Sequence, residues 1–171
     1  MKNLVLKYGL ISGIIGAALM LLMALYMRGD YEKASNAEVF GYVGIVLSMI
    51  FIFFGVRAYR DQVASDGLSF GKAFQVGIYI TLISCVMYVI MWMIVSNTLM
   101  ADFMDKYMEH AIQQLQASGA SAETIAQKTT EMEQFKELYK NPLFKAAITF
   151  LEPFPVGLAV TLLSAAVLRR K

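Results

Sequence analysis

The chain has 171 residues, of which 58% are hydrophobic and only 28 carry a formal charge. A soluble domain is about 45–50% apolar and about 25% charged, and a soluble amphipathic helix needs a polar face. Here the charge is segregated instead, because four apolar segments hold 83 residues but a single charged one, Glu152. These segments are 8–27, 39–56, 74–95 and 146–168. The composition therefore excludes a soluble enzyme, a disordered chain and a nucleic-acid-binding domain.

All four segments are long enough, or nearly so, to cross a bilayer. The hydrocarbon core is about 30 Å thick, which requires about 20 apolar residues at a rise of 1.5 Å each. Segment 39–56 reaches about 27 Å, which a slightly thinner bilayer accommodates. The first segment is too long for the h-region of a signal peptide, about 7–15 residues, so we expect it to be retained. We predict an all-α fold: a polytopic four-helix transmembrane bundle in the lipid bilayer, with residues 1–171 forming one membrane domain.

The positive charges outside these segments predict the orientation. Eight of them fall at the two termini and in the loop 57–73, whereas the loop 28–38 has only Arg28 and Lys33. Five lysines between 96 and 145 are spread over a long segment. Because positive residues are retained on the cytoplasmic side, we predict a multi-pass protein of the bacterial inner membrane with both termini cytoplasmic. The predicted anchors at the inner interface are Arg57, Arg60, Lys72, Arg169 and Arg170.

Residues 99–140, between the third and fourth segments, have a helical pattern of their own. Apolar residues recur every four positions from Leu99 to Leu115, which predicts that a helix continues out of the third span. The sequence 118–121 breaks it, with Ser121 as a predicted N-cap. A second apolar stripe follows and ends at Asn141-Pro142. We predict an extramembrane helical hairpin with a net charge of −3. It either packs its two stripes together or serves as a docking surface for an envelope protein partner.

Small residues line one face of the first segment. These are Gly9, Gly13 and Gly16, and Gly9 and Gly13 have the small-xxx-small spacing that allows close approach of helices in lipid. We expect them to pack within one chain, against Gly41 and Gly44 or against Gly157 and Ala165. The alternative is a dimer face, which leaves a homo-oligomer open.

Glu152 is the single charge within the apolar segments, and Pro153 and Pro155 follow it. Carboxylates at membrane depth are costly and often mark proton or ion pathways. The prolines predict a kink or a restart of the helix. If the helix restarts at Pro153, Glu152 occupies its N-terminal cap, where free amides favour an anion. Glu152 is therefore interpreted either as a helix-capping residue or as an intramembrane functional one.

Catalytic patterns are lacking. The single histidine, His110, has no second metal ligand at a useful spacing, and serines within the apolar segments have no base. The loop 66–74 lacks the spacing of a phosphate-binding loop; there, Ser69 is a predicted cap of the third helix. We therefore predict no catalytic residues, no metal, no cofactor and no nucleic-acid partner.

Several motifs together resemble a family of small bacterial membrane proteins, the domain-of-unknown-function family 4199. The matching stretches are the entry to the first helix from Lys7 to Gly13, the segment 68–74 with Gly77, the acidic outer segment, and 154–157 with the basic end 168–171. The resemblance implies four membrane helices and no established activity.

Two functions follow as hypotheses. The first is a non-enzymatic accessory or scaffold protein that acts through residues 99–140. The alternative is a small oligomeric ion or solute channel or transporter that uses Glu152.

Overall fold

The computed structural model describes residues 1–27, 37–64 and 67–169. For residues 37 and 38 it describes only the backbone. The fold is all-α. The helices of the described residues are α1 (Lys2–Met27), α2 (Ala37–Gln62), α3 (Phe70–Thr98), α4 (Phe103–Ala117), α5 (Ala122–Tyr139), α6 (Pro142–Leu151) and α7 (Phe154–Leu168). Arg28 and Lys33, used above to predict orientation, lie outside the described residues, as do Arg170 and Lys171.

Four stretches are long and apolar enough to cross a membrane, as the sequence predicted. They are Lys2–Met27, Val39–Gln62, Phe70–Thr98 and the combined α6 and α7, Pro142–Leu168. Each is longer than the apolar segment that predicted it, because the helix continues through flanking polar residues such as Lys7 and Arg60. Long basic side chains place their charge in the interface while their stems stay apolar. The chain is therefore a multi-pass membrane protein.

Contacts at small residues show how these helices run. Gly9 and Gly13 of α1 lie against Ile83 and Met87 of α3, so the two helices are parallel. Gly16 of α1 faces Ser48 of α2, and Gly44 of α2 faces Leu19, so α2 runs the opposite way. Gly157 of α7 meets Thr81 and Gly77 meets Thr161, which makes α7 antiparallel to α3. The start of α1, the end of α2, the start of α3 and the end of α7 therefore lie at one end of the molecule.

The glycine stripe of α1 thus packs within the chain. Of the expected partners, Gly44 lies against α1 at Leu19, whereas Gly9 and Gly13 pack against α3. Gly157 contacts α3 and Met49 of α2, and no other helix of the described residues comes within 4 Å of the Cβ position of Gly41. Larger side chains, Ile83 and Met87, fill the space that Gly9 and Gly13 leave. Small residues therefore meet large ones here, which gives closer interlocking than two facing glycine stripes.

The core between these helices combines apolar side chains with satisfied hydroxyls. Ile52, Val76 and Ile80 are fully buried. Ser12 donates to the backbone carbonyl of Ser48 at 2.8 Å, and Ser84 donates to that of Ile80 at 2.9 Å and that of Gly9 at 3.4 Å. Such bonds remove the cost of burying a hydroxyl.

The third helix ends before the outer segment, so the prediction that it continues is wrong. Residues 99–102 form a turn, and α4 begins at Phe103. The backbone amides of Leu99 and Met100 both donate to the carbonyl of Val95, at 2.9 and 3.0 Å. This turn carries Met100 into a cluster with Ala24, where it is 4% exposed. A tertiary contact that leaves no mark in the local pattern therefore ends the helix.

The predicted caps are present. Ser69 accepts from the Lys72 amide at 3.3 Å and Ser121 from the Thr124 amide at 3.2 Å. Gly119 has a φ of 75° in the turn between α4 and α5, a conformation that glycine adopts without strain. Asn141-Pro142 separates α5 from α6, as predicted, and Asn141 also caps α6 through its side chain.

Candidate functional site

Glu152 lies at the break between α6 and α7, ten residues after Pro142, which corresponds to about 15 Å of helix. The break confirms the predicted interruption, but Glu152 is not the N-cap of the helix that restarts. It has helical backbone angles, φ −68° and ψ −57°, at the C-terminal end of α6. Pro153 occupies the N-cap of α7, and Pro155 lies in its first turn.

Instead, the carboxylate faces α3. The Tyr88 hydroxyl donates to Glu152 Oε2 at 3.3 Å. Tyr88 is ten residues before the end of α3 and Glu152 ten residues after the start of α6, so the two side chains meet at a matching depth. Glu152 itself is exposed on the outside of the helices, whereas Pro153 is fully buried.

A second contact, between two aromatic residues, joins α3 to α5 one helical turn nearer the end of α3. The Trp92 indole donates to the Tyr139 hydroxyl at 2.6 Å, and Phe103 packs edge-on against Trp92 at 5.1 Å between ring centroids. The Lys145 ammonium lies 5.1 Å from the centroid of the Tyr139 ring, within the range of a cation–π contact. Burial raises the pKa of the Tyr139 phenol above its ordinary value. This junction attaches the base of α4, α5 and α6 to α3.

No local sequence pattern indicates that Tyr88 contacts Glu152 or that Trp92 contacts Tyr139. Tyr88 and Glu152 are 64 residues apart, and Trp92 and Tyr139 are 47 apart. Such pairings depend on which helices meet, and one aromatic residue near a span end looks like another in the sequence.

Several other polar residues of the spans bond to partners away from Glu152, whereas the Ser96 hydroxyl on α3 is buried without a hydrogen-bond partner among the described residues. Gln75 accepts from Lys72 at 2.9 Å near the opposite end of α3. The Thr81 hydroxyl lies 3.0 Å from that of Thr161 on α7, and Ser84 donates to α1 as described above. The Thr81 and Ser84 bonds join α3 to α7 and to α1, whereas the Lys72–Gln75 bond lies within α3.

The predicted basic anchors lie together at one end of the molecule. Arg57 and Arg60 both bond to Asp61, at 3.7 and 2.8 Å. Lys72 bonds to Gln75, and Arg169 follows α7 as an exposed residue. Arg170 lies outside the described residues.

Beyond the spans, the α4–α5 segment (103–139) contains an open groove. Neither α4 nor α5 has a buried residue. Between them lies a cavity of about 740 Å³. Apolar side chains from both helices line it: Met104, Tyr107, Ala111, Leu115, Met132 and Phe135. The two stripes seen in the sequence therefore face each other without filling the space between them.

The charges of this segment are paired along its surface. Lys136 of α5 bonds to Asp105 of α4, which raises the pKa of that lysine. Lys106 bonds to Glu109, Lys128 to Glu131 and Lys140 to Glu137. Glu123 and Glu133 take part in none of the salt bridges found among the described residues. The surplus charge of the segment is therefore negative and lies on α5.

Comparison with known proteins identifies the family. The family model described as "Protein of unknown function (DUF4199)" matches residues 7–170. The chain belongs to this family. The match confirms the resemblance seen in the motifs and covers nearly all of this chain. Neither a curated protein nor a solved structure matches it.

Proposed function

We propose that this DUF4199 protein is a non-enzymatic accessory or scaffold protein of the bacterial inner membrane. In this proposal the four apolar stretches form one bundle, and the α4–α5 segment is an extramembrane hairpin that recruits an envelope partner. One observation carries the proposal. Apolar side chains of α4 and α5 line an open groove of about 740 Å³, although apolar surface in water is unfavourable unless a partner covers it.

The distribution of charge supports the orientation. Lys2, Arg57, Lys72 and Arg169 lie at the end of the molecule opposite the α4–α5 segment, as the helix directions show. Basic residues close to the spans are retained in the cytoplasm. With that end inside, both termini are cytoplasmic and the groove faces the envelope.

Crosslinking in living cells tests the proposal. A photo-crosslinking amino acid at Tyr107, whose side chain is 54% exposed in the groove, should yield a discrete adduct with one envelope protein. The control position is Gln116, exposed on the same helix outside the groove. The proposal also requires that a crosslinker on the identified protein returns an adduct to the groove. Identical adducts from Tyr107 and Gln116, or none from either, contradict it.

An ion pathway through an oligomer is the second candidate, because a carboxylate at mid-span contacts the Tyr88 hydroxyl. Its position on the outside of the helices favours a pathway between chains over one within a chain. Protein reconstituted in vesicles should then show a pH-dependent cation flux that Glu152→Gln abolishes while the helix content is unchanged. Absence of flux from the wild-type protein, or flux retained by Glu152→Gln, rejects this candidate.

A further inference from the structure

The shape and charge of the α4–α5 segment specify the chemistry of its partner. We propose that the groove binds a basic amphipathic helix of an envelope protein, whose apolar stripe lies between α4 and α5. This inference rests on the accessory function proposed above, and it adds the secondary structure, the apolar stripe and the sign of charge of the partner.

The dimensions fit a helix. From Met104 to Leu115 the groove follows α4 for about 16 Å, or three helical turns. A helix that presents apolar residues at i, i+3 or i+4 and i+7 places its anchors along this length. Met132 and Phe135 on α5 form the opposite wall. Methionine is flexible and polarisable, so Met104 and Met132 can adapt to different apolar side chains.

The charge selects a basic partner. The three lysines of the segment, and Lys140 directly after it, are each paired with an acid of the segment. A ligand in the groove therefore meets Lys128 already paired with Glu131. Glu123 and Glu133 lie on α5 outside the groove lining, and they act on a partner through the charge of the whole segment. Residues 99–140 carry a net charge of −3, which attracts a cationic partner over a distance and accelerates its association.

The same charge disfavours two other occupants. A second copy of the chain would bring two segments of net charge −3 together, and like charges in contact are repulsive. An anionic membrane surface attracts basic helices rather than acidic ones. Both remain outcomes that the binding experiment can detect.

Designed peptides test the inference on the full-length protein in nanodiscs of zwitterionic phosphatidylcholine. The probe is an 18-residue helix with leucine on one face and lysine on the other. Its control has glutamate in place of lysine. We expect the Leu/Lys peptide to bind at least tenfold more tightly than the Leu/Glu peptide in 50 mM salt. We also expect its affinity to fall at 300 mM salt. Equal binding to empty nanodiscs would indicate lipid as the occupant and contradict the inference.

Paired substitutions locate the binding site. Leu115→Gln removes an apolar wall of the groove, whereas Leu138→Gln makes the same change at an exposed leucine outside it. We expect at least tenfold weaker Leu/Lys binding for the first and unchanged binding for the second. Tyr107→Asn is the second groove variant, because a side chain that is 54% exposed contributes little to folding. Equal effects of Leu115→Gln and Leu138→Gln contradict the proposed site.

A charge variant tests the partner's sign. Glu123→Gln with Glu133→Gln should weaken Leu/Lys binding several-fold and reduce its salt dependence. If Tyr107 crosslinks a protein in cells but the peptides bind independently of charge or groove, the partner chemistry proposed here is wrong and the accessory function stands. If crosslinking fails as well, both proposals fall. Self-association that Leu115→Gln abolishes would identify a second copy as the occupant and overturn the inference.

Discussion

At the scale of single residues, glycines, which have no side chain, set the distances between the membrane helices. A Cβ atom at Gly9 would lie 2.9 Å from Cβ and Cγ2 of Ile83 on α3. These atoms are close to the backbone of α3 and cannot move without it. At Gly41, no neighbouring helix in the described part of the chain lies within 4 Å of the same position. Two glycines of the membrane helices therefore serve different purposes, and only the first determines packing.

Substitution of these two glycines by alanine distinguishes these purposes. Gly9→Ala should lower the free energy of unfolding of the purified protein by about 1–3 kcal/mol, the usual range for overpacking, and so lower its melting temperature. Gly41→Ala should leave it unchanged or raise it, because alanine is the better helix former. Melting temperatures in one detergent measure both. Equal melting temperatures for the two variants would show that α1 and α3 can separate at little cost.

The Tyr139 phenol is a titratable group at the junction with α3, and burial raises its pKa above the ordinary value of about 10. Because the folded state then favours the neutral phenol, the contribution of this group to stability is complete below pH 10. It is lost as the pH rises through the raised pKa. Trp92, the only tryptophan in the chain, donates to this phenol at 2.6 Å and reports its ionisation.

We expect Trp92 emission to stay constant between pH 7 and 10 and to change only at higher pH. The Tyr139→Phe variant should lack the change and lose about 1–3 kcal/mol, because the indole N–H loses its acceptor. Fluorescence titration of both proteins in detergent provides the measurement. A wild-type transition at or below pH 10 would contradict the role of burial.

At the scale of elements, the two prolines explain the division of the last span. Glu152 and Pro153 both keep right-handed helical angles, so the chain continues in nearly the same direction. Pro153 and Pro155 have no amide to donate to the carbonyls of Thr149 and Leu151, their positions four residues earlier. Two missing bonds in succession are enough to divide α6 from α7.

Restoring these amides should join the helices. In a Cys85→Ala background, spin labels at Leu143 and Leu163, both exposed, measure the distance across the break. We expect Pro153→Ala with Pro155→Ala to lengthen this distance. Pro142→Ala is the control, since this proline lies in the first turn of α6, where the amide has no acceptor within the helix. If the double variant keeps the wild-type distance, contacts with α3 rather than the prolines maintain the break.

The sequence predicted those elements that depend on local chemistry. Segregated charge identified the four apolar stretches, and Ser69 and Ser121 are the predicted caps because their side chains reach amides three residues away. The turn after Thr98 could not be predicted, since it depends on the burial of Met100 in another part of the fold. The Glu152–Tyr88 contact is equally non-local. Glu152 is the C-cap residue of α6, and its carboxylate accepts from a Tyr88 hydroxyl that is 64 residues away in the sequence.

At the scale of the whole molecule, helix direction and charge give a testable orientation. Gln62 is at the end of α2 and Gln116 lies in α4, and both are exposed. The native Cys85 is buried, so a maleimide reagent should react with introduced cysteines. These two positions therefore permit the same Gln→Cys change at opposite ends of the protein.

In intact cells, a membrane-impermeant maleimide should label Gln116→Cys once the outer permeability barrier is opened. Gln62→Cys should react only after the inner membrane is disrupted. Gel mobility of the labelled protein measures each. The reverse pattern would place the α4–α5 segment in the cytoplasm and would exclude an envelope partner.

The hydrogen bonds that join α1 to its neighbours have a consequence for how this protein tolerates variation. Their acceptors are backbone carbonyls, those of Ser48 and Gly9, and a carbonyl persists whichever residue occupies its position. Loss of a donor hydroxyl leaves that carbonyl bonded within its own helix, and hydrogen bonds between membrane helices contribute about 0.6 kcal/mol on average. An added methyl group at Gly9, by contrast, forces two backbones apart. Specificity between these helices therefore resides in shape rather than polarity, and removing an atom from the interface is less harmful than adding one.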